Sequence, residues 1–161
     1  MELSPRSRSG ETASHIAIIF VTSAQLIFFT FFHEYIAWHT TQPDGSVTRL
    51  SMLTDDYFTW LPVMVTASII VIVASIAMII YDNYRFRKTC EISFNIIGIV
   101  VSVSLVAIFP FDFSVIPNDT AVRVVPIGVT VFFILLAVFY AVTALIMFRK
   151  FKRNTAKQET R

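Results

Sequence analysis

The chain holds a single cysteine, Cys90, only four glycines, and no ionisable residue near the middle of any apolar block. One cysteine cannot close an internal disulfide, so the four-helix disulfide-exchange enzymes, such as the quinone-coupled thiol oxidases, are excluded. Within the apolar blocks the only glycines are Gly98 and Gly128, which argues against carriers built on glycine-broken helices. Proton-coupled pumps, including small four-helix drug exporters with a mid-helix glutamate, place an acid or base at membrane depth. This chain offers none. Walker loops, Rossmann glycine patterns, serine elbows and zinc-type Cys/His spacings are also missing. No cofactor is implied.

What the chain does have is apolar length. Hydrophobic residues make up 55% of its 161 positions, and the mean hydropathy is +0.69. They gather in four unbroken blocks of about twenty, the length that crosses a hydrocarbon core of roughly 30 Å. The expected fold is all-α: an integral membrane protein with a four-helix, up-and-down transmembrane bundle. A disordered tail is expected over 1–14 and the transmembrane domain over 15–148, with spans near 15–38, 57–81, 92–109 and 121–148. A basic tail over 149–161 follows. The first block is longer than the apolar region of a secretory signal, and its Phe28, Phe29, Phe31, Phe32 end offers no small-residue cleavage site. Pro43-Asp44-Gly45 marks a turn in the first long loop, because proline presets φ and glycine accepts positive φ.

The charges flank the blocks rather than forming a patch, so the net charge of +2 does not point to nucleic acid. Eleven of the thirteen lysines and arginines fall in the two tails and in the turn around Arg85, Arg87 and Lys88; Arg49 and Arg123 are the exceptions. That asymmetry puts both termini and the middle turn on the cytoplasmic side. It favours a cytoplasmic or plasma membrane over an organelle. The outer loops lack the cysteine framework of claudins and tetraspanins.

A layout recurs. Shifting Asp55–Lys88 by 64 positions superposes eight identical residues, among them Pro62 on Pro126, Val65 on Val129 and Thr66 on Thr130. One explanation is a parallel duplication of a helical hairpin about an axis along the membrane normal, with Thr66 and Thr130 at equal depth. The other is that any helix running from outside to inside tends to start with proline and end with cations.

Three groups of residues are candidate sites. Gln25, Thr66, Asn95, Ser102 and Thr130 are polar positions inside the spans, fit either for helix–helix hydrogen bonds or for lining a pathway through Gln25, Asn95 and Thr130. His33, Glu34 and His39 are metal-ligand types near the outer surface. On a continuous helix, though, two histidines six apart diverge by roughly 120°. Asn118-Asp119-Thr120 is a glycosylation acceptor sequence if the loop enters a secretory lumen. It also suits Asn118 or Asp119 as the cap of the fourth helix, as Asp55 suits the second.

Three functional expectations follow. The first is a non-catalytic accessory or structural subunit of a membrane complex, with lipid and other membrane subunits, or further copies of itself, as partners. The second is a channel or carrier for a small uncharged solute, formed by self-association. The third is a membrane enzyme subunit with an outer-face His/Glu/Asp metal site.

Overall fold

The computed structural model describes residues 5–41, 44–81 and 83–159. Four helices dominate: α1 (Pro5–Phe31), α2 (Tyr57–Ile80), α3 (Tyr84–Ile108) and α4 (Asp119–Glu159). Each contains a segment long and apolar enough to cross a membrane. A 3-10 turn (His33–Tyr35) and two short strands, β1 (Ala37–Thr41) and β2 (Val47–Ser51), occupy the first long loop.

The first helix departs from expectation at both ends. It is helical from Pro5, where irregular chain is expected over 1–14; Met1–Ser4 lie outside the described residues. Proline is suited to the first turn, where its missing N–H costs no hydrogen bond. At the other end α1 stops at Phe31 rather than near Trp38. Its apolar part, Thr12–Phe31, is 20 residues, or about 30 Å at 1.5 Å per residue. That already matches a bilayer core, so the residues beyond it take another structure.

That structure is a β-hairpin. β1 and β2 pair antiparallel with Trp38 opposite Leu50, His39 opposite Arg49 and Thr40 opposite Thr48. Aromatic and β-branched side chains favour such a pleated surface. At the tip Gly45 has φ 81°, and Asp44 accepts hydrogen bonds from the Ser46 amide at 2.9 Å and its hydroxyl at 2.7 Å. Gln42 and Pro43 lie outside the described residues. The all-α expectation therefore misses a two-stranded sheet.

The hairpin is tied to the loop between α3 and α4. Leu53 and Phe111 form an isolated β-bridge, the Thr54 amide donates to the Pro110 carbonyl, and the Asp112 amide donates to the Met52 carbonyl. The two long loops thus meet at one end of the molecule, and the short α2–α3 connection lies at the other. Phe109 turns the chain out of α3 with φ 45°, placing the fully buried Pro110 against this seam.

Helix starts follow capping chemistry, with one surprise. Asn118 Oδ1 accepts from the Thr120 and Ala121 amides at 2.9 and 3.1 Å, so α4 is capped as expected. Asn83 does the same for α3 through the Arg85 and Phe86 amides, which draws the helix start back to Tyr84 from an expected residue 92. Asp55 caps nothing. Position Asp56 precedes α2 in helical geometry with no side-chain cap, and the backbone carbonyls of Thr54, Asp55 and Asp56 take up the first amides instead. The C-terminal tail continues α4 to Glu159.

Packing runs in chain order: α1 against α2, α2 against α3, and α3 most extensively against α4. α1 and α4 scarcely meet. The core lies toward the hairpin end, where Tyr57, Trp60, Met64 and Leu105 are buried against Phe29, Phe111 and Phe133. Along α2 the buried residues are Tyr57, Trp60, Met64, Ser68, Ser75 and Met78. Their spacing of three, four and seven is that of one helical stripe.

Candidate functional site

Two places gather chemically interesting groups. The first is an aromatic cluster where α1 ends. The last turn of a helix leaves carbonyls without intrahelical partners, and here neighbouring groups satisfy three in succession. The Phe28 carbonyl takes the Phe32 amide at 2.8 Å. The Phe29 carbonyl takes the Tyr57 hydroxyl from α2. His33 Nδ1 lies 3.3 Å from the Thr30 carbonyl. The His33 ring also stacks on Tyr57, with centroids 5.1 Å apart, and meets Phe58 edge-on. His33 and Tyr57 together therefore close the C-terminus of α1 and lock it to the start of α2.

This geometry separates the expected metal ligands. His33 faces the ring cluster, Glu34 is exposed in the 3-10 turn, and His39 stands on β1 opposite Arg49. Among the described residues no three His, Cys, Asp or Glu side chains come together as a metal set. The expected His33–Glu34–His39 arrangement requires one compact turn, whereas the chain passes from helix to strand between its members. Arg49 instead sits over the Tyr35 ring at 5.2 Å, a cation–π contact across the hairpin base.

The second place is a cavity of about 540 Å³ to which all four helices contribute walls. That size is typical of small-molecule pockets. Gln25 on α1, Asn95 and Ser102 on α3 and Tyr140 on α4 bring polar groups to it. Thr22 and Ser68 add hydroxyls and Trp60 an indole; the remaining lining is apolar, and among the described residues none in the lining carries a formal charge. No protein-family model matches this chain, and comparison with curated proteins and with solved structures gives no match either. The cavity must therefore be read from its own chemistry.

Of the expected intramembrane polar set, the cavity brings together Gln25, Asn95 and Ser102. Thr130 belongs to a separate pocket of about 330 Å³ beside Val106, Phe109 and Pro126, and Thr66 is exposed on α2. Gln25 and Asn95 thus line one cavity and Thr130 another. Asn95 is partly committed already, since its Nδ2 donates to the Glu91 carbonyl at 2.8 Å and lies 3.8 Å from Met147 Sδ. One turn along α3, Gly98 makes room for a ring of α4: a Cβ built there would stand 2.8 Å from the Tyr140 ring. The Asn95, Gly98, Ser102 face is thus both a packing seam and a cavity wall.

Sequence reasoning missed Tyr57, Trp60 and Phe111 as site residues. Tyr57, Trp60 and Met64 are spaced as one helix face, a signal readable in advance. Phe111 carries no such periodicity, because it reaches the cavity from a loop.

Proposed function

We propose that this chain is a non-catalytic accessory or structural subunit of a membrane protein complex, with both termini on the cytoplasmic side. The observation that carries the reading is a stripe on α4. Moving the buried stripe of α2 along by the 64-residue repeat lands on Ala121, Val124, Gly128, Phe132, Phe139 and Val142. Except for the half-buried Ala121 these are exposed, with Phe132 at 59% and Phe139 at 63%. A surface that α2 gives to its neighbours is, on α4, left for lipid or another protein. The open α1–α4 side and the hairpin layer add further surface of the same kind. The cytoplasmic orientation rests on the lysine and arginine asymmetry, and a plasma or cytoplasmic membrane is the setting it favours.

Native mass measurement in mild detergent tests the subunit reading, with a defined assembly as the expected result and a monomer alone as the contrary one. Orientation is tested by cysteines placed at Ser46 and Ser114, which should react with an impermeant reagent from outside while Cys90 stays unlabelled.

The uncharged cavity supports a second reading, a channel or carrier for a small neutral solute formed by self-association. Purified protein in liposomes separates the two. The subunit reading expects no solute flux above empty vesicles, and the carrier reading expects flux that Gln25→Leu or Asn95→Leu abolishes.

A further inference from the structure

Past Phe148 the sequence of α4 turns basic, with Arg149, Lys150, Lys152 and Arg153 around a single aromatic residue, Phe151. At about 100° per residue, these four cations fan over an arc of roughly 160°, and Phe151 lies opposite its centre. Tyr140, Met147 and Phe151 share one side of α4, within about 40° of one another. That side faces α3, because the Tyr140 ring stands against Gly98 and Met147 Sδ is 3.8 Å from Asn95 Nδ2. The cations therefore point away from α3, and all four are exposed. A lysine and arginine excess at one end of a bundle sets its orientation, but it sets no direction round a helix.

The depth of this turn suits phosphate. Arg149 to Arg153 rises about 6 Å along the helix, and the polar layer on each face of a bilayer is roughly 5–7 Å deep. Phe148, 55% exposed, is the last apolar residue before the basic turn. On α3 the charges end at the same level, with Glu91 one turn before Asn95. Two α3 cations there are engaged or covered: Lys88 pairs with Glu91 at 2.5 Å, and Arg87 is 7% exposed. The α4 cations differ. Among the described residues, Arg149, Lys150, Lys152 and Arg153 have no ion-pair or hydrogen-bond partner. Attraction between a basic residue and an anionic leaflet is worth about fivefold in binding.

We propose that this outward face of α4 binds the phosphate groups of anionic phospholipids and gathers them around the protein in the leaflet that holds the basic turn. Arg149 and Arg153, four residues apart on the face, offer forked N–H donors to phosphate oxygens, and Lys150 and Lys152 act as point charges beside them. A zwitterionic head group brings its own ammonium to the same face and is held less tightly. The proposal is independent of the subunit reading, because the basic turn lies beyond Phe132 and Phe139 on α4.

The experiment uses the full chain in phosphatidylcholine nanodiscs, with spin-labelled phosphatidylglycerol or phosphatidylcholine as the probe. Electron paramagnetic resonance separates lipid held at the protein surface from lipid in the free bilayer. Phosphatidylglycerol should be held at least about fivefold more strongly than phosphatidylcholine at low salt, and the preference should shrink as salt screens the exposed charges. The double change Arg149→Gln, Arg153→Gln should remove most of it, while Arg149→Lys, Arg153→Lys should keep it. Arg49→Gln, Arg123→Gln removes the same charge from exposed positions at the far end of the molecule and should leave it unchanged. Equal retention of the two lipids by the parent overturns the proposal, as does a preference that survives the glutamine pair at 149 and 153. Loss of the preference in the lysine pair overturns its dependence on charge. Soluble polyglutamate bound to the parent nanodiscs, with no lipid preference, would assign the face to an acidic protein segment instead.

Discussion

α2 and α4 share five residues at a constant offset, Pro62, Val65, Thr66, Ile70 and Ala77 falling on Pro126, Val129, Thr130, Ile134 and Ala141, yet they occupy different environments. α2 lies between α1 and α3 and buries 22% of its most apolar window; α4 packs chiefly on α3 and buries none of its own. The shared residues do not produce this difference, since none of them lies on the buried stripe of α2. The unshared positions do. Tyr57, Trp60 and Met64 supply large, interlocking groups, where α4 has Ala121, Val124 and Gly128. Resemblance in sequence register is therefore no guide to which face is covered. In lipid, where apolar side chains gain little from leaving their surroundings, close packing decides it.

The largest effects should separate the two stripes. Trp60→Ala in α2 leaves a cavity in the core and should destabilise the fold by about 3 kcal/mol. Phe132→Ala on the exposed stripe of α4 should change it by less than about 0.5 kcal/mol. Unfolding in mixed micelles measures both, and similar losses would erase the distinction between a covered and an uncovered helix.

The attachment of α4 comes next. Gly98→Ala puts a methyl group against the Tyr140 ring and should cost about 1–3 kcal/mol by overpacking. A second change, Tyr140→Leu, should recover part of that loss. Without such recovery, the Gly98–Tyr140 contact is not what sets the spacing of α3 and α4.

Helix starts give a smaller contrast. Asn118→Ala should cost about 1 kcal/mol, the usual value of an N-cap, while Asp55→Ala should lie within about 0.5 kcal/mol of the parent. The same unfolding assay reads both. Equal costs would mean that Asp55 stabilises the entry to α2 by some means other than capping.

The smallest expected effect lies in the loops that lead into the two helices. Each contains an aspartate held below its ordinary pKa by a serine two residues on: Asp44 by Ser46 and Asp112 by Ser114. Hydrogen bonds to the serines' side-chain and backbone groups favour the charged form. Each contribution is present in full above the ordinary value of 3.8 and is lost as the pH falls through the lowered folded value. Asp44 is exposed and Asp112 half-buried at the surface, so the change is local. Amide exchange at Ser46 and Ser114 should accelerate together over that acid range; acceleration at one alone would show that the two turns are not equivalent.

The four helices were legible because length and composition suffice to mark a segment that must satisfy its own backbone in lipid. Their ends were less so. The Trp38 boundary was missed because Tyr35-Ile36-Ala37-Trp38 is apolar enough to extend a helix, although twenty residues had already spanned the core. β-branched Thr40, Thr41, Val47 and Thr48 around Pro43-Asp44-Gly45 carried a hairpin signal. His33 reads as a metal ligand in one dimension and as part of a helix end in three. Gln25, Asn95 and Ser102 could be picked out by polarity, but their meeting in one cavity depends on helix rotation, which the sequence pattern left open. Thr66 and Thr130, equivalent in register, differ in surroundings for the same reason: Thr66 is exposed and Thr130 lines a pocket.

The most direct test of the central claim, that the α4 stripe is a protein-covered surface in the native membrane, is photocrosslinking from position 132 in intact cells, with position 73 on α2 as the exposed comparison. A discrete protein adduct of one mass is expected from position 132, weakened by Phe139→Ala on the same stripe and scarce from position 73. Lipid adducts alone from position 132, at the level seen from position 73, would contradict it.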